Sequence, residues 1–259
     1  MDEQQLLDLA GDVGFALLKS GGEIYRVEES IRRIFLAYGQ ESGDAFVIPS
    51  VIIVSFTTPQ GRSYTKMLRV RGQTVDLERV ERLNSLCRKI CLHPMEPEAV
   101  RRELESIEGV SRYGYHWRMA AYAMVAFFFT LLFAGTAGDA VAAGLCGLAT
   151  CIACEQMNRF HTNSFFVNTI ASAIIAAMAL GAVNLGLGSH YDRIIIGALM
   201  NLVPGVMITN FMRDIIAGDL LAGLIKLTES LLVATAIALG AGIILTPARV
   251  VWGIGGKEE

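Results

Sequence analysis

The residues best suited to chemistry lie in one stretch of the chain, NLVPGVMITNFMRDIIAGD, residues 201–219. It places amides, a hydroxyl, a guanidinium and carboxylates in an otherwise apolar segment: Asn201, Thr209, Asn210, Arg213, Asp214 and Asp219. Amide side chains both donate and accept hydrogen bonds, and the planar fork of an arginine can hold a carboxylate through two bonds. These groups therefore favour recognition of a small polar molecule.

The pair Pro204-Gly205 stands in the middle of this stretch. Proline removes a helical hydrogen bond and glycine loosens the chain, so the pair predicts a break in a helix. In a membrane, the freed backbone groups are tolerated only where they are buried or line a wet cavity, and transporters use such breaks to bind ions and substrates. A simple kink packed by neighbouring helices is the alternative.

Two ionisable residues, Lys226 and Glu229, lie in the next apolar segment. Because they are three residues apart, their side chains can pair on a helix. One helical face beside Glu229 carries Asp219, Gly223, Lys226 and Ser230. Ionisable groups deep in a bilayer face a cavity or a partner, so we expect Lys226 and Glu229 in the path of a substrate or ion. Asp219 or Glu229 would carry a proton if burial raises its pKa, although Asp219 is equally suited to cap a helix.

The composition predicts a membrane half behind a soluble half. The 259 residues are 53% hydrophobic and 18% charged, against roughly 25% charged in soluble domains. Of the 22 Lys and Arg, 16 lie in residues 1–118. We expect a cytosolic domain over residues 1–114 and a transmembrane domain over residues 115–259. Five helices of about 20 apolar residues are predicted, at 119–138, 139–157, 165–187, 193–211 (the broken one) and 219–245.

The orientation follows from the positive-inside bias. Arg112 and Arg118 precede the first predicted span, and the loop after it has no basic residue. The N-terminus is therefore expected in the cytoplasm. The membrane segments are rich in glycine, and we expect close helix packing at Gly135, Gly144, Gly147, Gly181, Gly197, Gly223 and Gly240.

The first half predicts an α+β domain. Apolar residues at helical spacing indicate helices over 2–19, 23–38, 76–92 and 97–108. Residues 44–70 predict a β-hairpin with its turn at Pro59-Gln60-Gly61, and Pro49 either weakens its first arm or marks an edge strand. Gly22 precedes the second helix, and Glu23, Arg26 and Glu28 lie off its apolar stripe or at its edge. The spacing of Glu23 and Arg26 is most simply that of a solvated helix pair.

The sequence shows no motif of an enzyme, a cofactor site or a metal site. There is no phosphate-binding loop, GxSxG or HExxH, and Cys87, Cys91 and His93 lack a fourth ligand at a familiar spacing. A net charge of −3 gives no reason to expect nucleic acid. We therefore expect a protein that is not an enzyme and takes no cofactor.

Two signatures resemble the threonine/serine exporter family. They are GGEIYRVEE, from Gly21, and LVPGVMITNFMRDIIAGD, from Leu202. The early motif carries onto Gly22, Glu23, Arg26, Val27 and Glu28. The late motif carries onto Leu202, Val203, Pro204, Gly205, Thr209, Asn210, Arg213, Asp214, Gly218 and Asp219. The similarity extends over about residues 10–245.

The resemblance implies a secondary exporter driven by the proton motive force, with a cytosolic domain before five membrane helices. It implies the larger component of the split form, which forms an oligomer with a small membrane subunit in the cytoplasmic (inner) membrane of a bacterium or archaeon. Family members are associated with threonine and serine, and the split form with succinate-like dicarboxylates. Two alternatives remain: a receptor or assembly subunit that does not transport, and a membrane-anchored hydrolase.

Overall fold

The computed structural model describes residues 2–110, 113–160 and 162–252, so Arg112 lies outside the described residues. The chain divides into two compact units. The first comprises Met1–Ser111 and Val206–Leu227, and the second comprises Arg112–Gly205 and Thr228–Glu259. Ten helices and three strands are described: α1 (Glu3–Lys19), α2 (Ile24–Ala37), β1 (Asp44–Ile48), β2 (Val51–Thr57), β3 (Ser63–Arg69), α3 (Leu77–Leu92), α4 (Pro97–Glu108), α5 (Tyr115–Leu132), α6 (Ala137–Arg159), α7 (Ser164–Asn184), α8 (Tyr191–Leu199), α9 (Gly205–Ala217) and α10 (Leu220–Trp252).

The four helices predicted for the first half are confirmed within one residue at each end. Their boundaries have local causes. Asp76 caps α3 by accepting a hydrogen bond from the Arg79 amide at 3.1 Å, and Pro97 occupies the first turn of α4, where no amide donor is needed. Gly21 follows α1 with φ +91°, a conformation that disfavours side chains. The apolar faces of these helices and of the sheet share one core.

The predicted hairpin is wrong in its first arm, because Pro49 and Ser50 divide that arm into two strands. The sheet is a three-stranded antiparallel meander of order β1-β2-β3. Proline has no amide donor for the ladder, so the chain turns there instead of continuing as one strand. The predicted turn at Pro59-Gln60-Gly61 is confirmed, with Gly61 at φ +79°.

The break at Pro204-Gly205 is confirmed, and it separates two elements of the fold. Helix α8 ends at Leu199, residues 200–204 are not helical, and α9 begins at Gly205. Helix α8 contacts α5, α6 and α7 in the second unit, whereas Val206–Leu227, which holds most of α9 and the first turns of α10, belongs to the first unit. The expected span over 193–211 is therefore two short helices, of 9 and 13 residues.

The second unit is a helix bundle with a core of small residues. Alanines of α5, α6, α7 and α8 are fully buried, together with Ile175 and Ile194. Glycine allows close approach at several of the expected positions. A Cβ at Gly147 or Gly197 would overlap α5, and one at Gly240 would overlap the carbonyl oxygen of Thr169 on α7. At Gly181 no atom of the described residues lies within 4 Å of such a Cβ, so the packing role predicted there is wrong.

Three described helices are long and apolar enough to cross a membrane: Ala137–Arg159, Ser164–Asn184 and Leu220–Ala248. They are α6, α7 and most of α10. The expected first and fourth spans, represented by α5 and by α8 with α9, are not among these three. The count of five spans stays a prediction.

Candidate functional site

The carboxylate of Glu23 lies between two guanidinium groups in the first unit. Its Oε2 is 2.9 Å from Nε of Arg26, and its Oε1 accepts a hydrogen bond from Nη1 of Arg213 on α9. The Glu23 side chain is only 19% exposed, whereas both arginines are about half exposed. The expected ion pair of Glu23 with Arg26 is therefore extended by Arg213, which is 190 residues from Glu23 in sequence.

The turn between α1 and α2 brings Glu23 to this position. Gly22 donates its amide to the carbonyl of Leu17, and a Cβ on Gly22 would lie 2.9 Å from that oxygen. The close approach requires glycine and leaves Glu23 as the residue before the first turn of α2. The early motif therefore forms a tight turn that places the Glu23 carboxylate between the two guanidinium groups.

A cavity of about 80 Å³ adjoins this ion pair. Amide, carboxylate and guanidinium groups line it together with apolar side chains. The lining comes from the α1–α2 turn, α2, α3 and α9, and its polar side chains are Glu23, Arg26, Asn84 and Asn210. The early and late motifs, read separately in the sequence, meet at one cavity. We call it the Glu23 cavity.

A buried ion pair lies in the late motif. Nζ of Lys226 donates to Oδ2 of Asp214 at 2.7 Å, and the two side chains are 9% and 1% exposed. Among the described residues, Oδ1 of Asp214 is buried with no hydrogen-bond partner. Gly218, at φ +98°, follows α9, and Gly223 lets α10 approach Ile215 of α9. This helix–turn–helix geometry puts Asp214 and Lys226 side by side.

Asp219 lies near the pair, and Glu28 lies near Asp219. Burial raises the pKa of Asp219, and the Asp214 carboxylate adds to the rise while Lys226 opposes it. Burial also raises the pKa of Glu28, although its Oε1 accepts a hydrogen bond from the Val47 amide at 2.8 Å. The negative charge of Asp219 also raises the pKa of Glu28, so the two carboxyl groups interact electrostatically. A raised pKa is what a proton-carrying carboxyl needs.

The predicted path residues divide between the two units. Asn210, Arg213, Asp214, Asp219 and Lys226 belong to the first unit with the early motif. Thr209 belongs there too and is exposed, while Asn201, Pro204, Gly205 and Glu229 belong to the second unit.

The pairing predicted between Lys226 and Glu229 is replaced by one between Lys226 and Asp214, and Glu229 is exposed. Asn201 has a structural role in the second unit: its Nδ2 donates to the carbonyls of Tyr122 and Ala198 at 3.1 and 3.3 Å. That amide therefore joins the end of α8 to α5.

Sequence reasoning missed a polar centre at Asp139 in the second unit. This carboxylate is fully buried and accepts hydrogen bonds from the amides of Thr136, Ser189 and His190, at 2.9, 2.6 and 3.0 Å. Nδ1 of His190 is also 3.0 Å away. The spacing of Thr136 and Asp139 is that of a capping box, a signal that was available in the sequence. Asp139 therefore joins the start of α6 to the loop before α8.

Comparison with known proteins identifies the family of the chain. The sequence profile of the family described as "putative threonine/serine exporter" matches residues 8–247. That range covers both signatures and nearly the whole chain. No curated protein and no solved structure matches the chain.

Proposed function

Because the chain belongs to the threonine/serine exporter family, we propose that it is a subunit of a proton-coupled exporter whose Glu23 cavity receives the zwitterionic end of an amino acid. The observation that carries the proposal is the acid of Glu23 set between Arg26 and Arg213, with Asn210 beside it. An α-amino acid carries an ammonium and a carboxylate on neighbouring atoms. Such a ligand needs an acid, a guanidinium and neutral hydrogen-bonding groups in one small space.

Glu23, Arg213 and Asn210 would each contact a different part of the substrate. Glu23 accepts from the substrate ammonium, and Arg213 turns from Glu23 to hold the substrate carboxylate with two parallel bonds. Asn210 donates or accepts at the side-chain hydroxyl of serine or threonine. In the structure Arg213 donates to Oε1 of Glu23, and the proposed substrate replaces that contact with its own ammonium and carboxylate.

The coupling proton is assigned to Asp219. Its raised pKa and its place beside the Asp214–Lys226 pair support that role. Protonation of Asp219 removes one negative charge next to Asp214, which strengthens the hold of Lys226 on Asp214. Loss of the proton does the reverse. This couples the ionisation of one carboxyl to the packing of α9 against α10.

The family resemblance supplies the rest of the proposal. The chain would lie in the cytoplasmic membrane with residues 1–114 in the cytosol, and it would work with a small membrane subunit. Succinate-like dicarboxylates are the alternative substrates, for which Arg26 and Arg213 would each hold one carboxylate.

Efflux from proteoliposomes tests the transport step. Vesicles hold labelled serine, threonine or succinate, with and without the small subunit, under an imposed pH gradient. We expect serine or threonine efflux that an uncoupler abolishes. Absence of efflux in every combination, from protein shown to be folded and assembled, would favour a receptor or assembly subunit. Turnover of the substrate instead of its release would favour the hydrolase.

Two variants test the assigned residues. We expect Asp219→Asn to keep exchange of internal for external substrate and to lose efflux driven by the pH gradient, because exchange needs no net proton movement. Arg213→Gln should weaken both. Glu78→Gln is the matched control, since Glu78 pairs with Arg82 on the exposed face of α3. Gradient-driven efflux that survives Asp219→Asn would contradict the assignment.

A further inference from the structure

A second and larger cavity lies in the first unit, between α2 and α3. Its volume is about 550 Å³, which is within the range of small-molecule sites, roughly 300–1,000 Å³. Three arginines contribute to its walls, Arg26 and Arg33 from α2 and Arg88 from α3. We call it the arginine groove.

The groove carries an excess of positive charge. Glu29 is the one carboxylate among the described residues that line it, and it pairs with Arg33 at 2.6 Å. Arg88 donates to the hydroxyl of Ser85 at 2.7 Å, which leaves its charge without compensation from that contact. A guanidinium has five N–H donors, so an arginine with one partner can still bind an anion with the others.

The floor of the groove is neutral. Burial raises the pKa of the Cys87 thiol to about 12, and it raises the pKa of Cys91 as well. Both thiols are therefore protonated at neutral pH, and they neither offset the arginines nor offer thiolates to a metal. Tyr25 and Leu92 add apolar surface at the edge.

We propose that the arginine groove binds a small molecule with two anionic groups, phosphorylated or dicarboxylic, as an effector of the Glu23 cavity. Arg33 and Arg88, on facing helices, each hold one anionic group, and the neutral floor receives the carbon or phosphorus atoms between them. Guanidinium groups hold carboxylate and phosphate oxygens in pairs of hydrogen bonds, which suits both classes.

The groove shares one residue with the Glu23 cavity. Arg26 lines both cavities and lies 2.9 Å from the Glu23 carboxylate. A dianion in the groove attracts Arg26, which weakens its hold on Glu23 and leaves Glu23 to Arg213. Occupancy of the groove thereby changes the charge balance of the other cavity. Binding at the groove itself does not depend on transport, so it can be tested separately from the proposed function.

Protection of Cys91 from alkylation reports occupancy of the groove. The full-length protein in nanodiscs is treated with a maleimide, and the rate at Cys91 is followed by peptide mass spectrometry. Pyrophosphate and succinate are the two probes, and potassium chloride at the same ionic strength controls for charge screening. We expect at least one probe to slow alkylation of Cys91 by threefold or more, and the comparison of probes shows whether the phosphorylated or the dicarboxylic class is bound.

Variants locate the effect. Arg33→Gln with Arg88→Gln should abolish the protection, whereas Arg82→Gln, on the same helix but outside the groove, should preserve it. The basal alkylation rates of Cys87 and Cys91 show whether the double variant is folded, and Arg88→Gln alone replaces it if those rates rise. No protection by either probe, equal protection by potassium chloride, or protection that survives loss of the arginines would each overturn the proposal.

Discussion

Replacing Lys226 with methionine removes the positive charge that faces Asp214 and keeps a side chain of similar length and apolar character. Asp214 is 1% exposed, so its carboxylate would remain buried without a counter-charge. One of its oxygens already has no hydrogen-bond partner among the described residues. The variant therefore leaves a buried charge that the surrounding residues are not arranged to accommodate.

The expected cost follows from the geometry of the pair. At the observed 2.7 Å, two unit charges attract by about 6 kcal/mol with an effective dielectric constant near 20. The cost of removing both charges from water offsets much of this attraction, and the loss of one partner of a buried pair typically costs about 3–5 kcal/mol. Replacing both partners with apolar residues is commonly neutral. We therefore expect Lys226→Met to destabilise strongly and Asp214→Leu with Lys226→Met to be close to the wild type.

Thermal unfolding of the purified protein in one detergent measures this difference. For a chain of this size, 3–5 kcal/mol corresponds to a fall in Tm of roughly 6–20 °C. The single variants should show this fall and the double variant should recover most of it. The reasoning is refuted if Lys226→Met unfolds at the wild-type temperature, or if the double variant is as unstable as the two single effects added together.

Three further predictions concern stability. Gly240→Ala should destabilise the second unit by about 1–3 kcal/mol, because its Cβ would overlap the main chain of α7, and Gly181→Ala, on an open face of α7, should leave the Tm unchanged or raise it. Asp139→Asn should lower stability by about 1–3 kcal/mol through poorer acceptance of buried amides, seen as a lower Tm and faster amide exchange at His190. Burial raises the pKa of Glu28 in the folded state, so its contribution to stability is favourable at low pH and is lost as the pH rises above the usual 4.5. The stability of the wild type relative to Glu28→Gln should therefore fall as the pH rises from about 4.5 towards the raised pKa, measured by thermal unfolding across that range.

Local elements of the fold could be predicted from the sequence because their causes are local. The spacing of Ile24, Val27 and Ile31 indicates α2, and these residues are buried on one side of it. Pro204 with Gly205 indicates a break, and the helix is broken there. Pro49 alone does not decide the strand boundary, because a proline can either mark the edge of a strand or end it, and the pairing of β1 with β2 shows that it ends one here.

For the candidate site, the sequence predicts which polar residues take part but not which of them contact each other. Glu23 and Arg213 are 190 residues apart, and no periodicity relates them. Lys226 was assigned to Glu229 because residues three apart are neighbours on one helix. The turn at Gly218 provides a nearer partner, Asp214, from another helix. Contacts of that kind depend on tertiary folding, and hydropathy does not reveal them.

The discontinuous first unit has a consequence for synthesis of the chain on the ribosome. Residues 206–227 emerge about 95 residues after residue 111, once the intervening helices of the second unit have been made. At translation rates of about 5–20 residues per second, the delay is roughly 5–20 s. During that interval the growing chain holds Glu23 without Arg213, and the core position later filled by Ala222 stays open. The first unit can therefore be completed only after the ribosome has translated residues 112–205 of the second unit, so α9 joins its unit long after the other helices of that unit have been made.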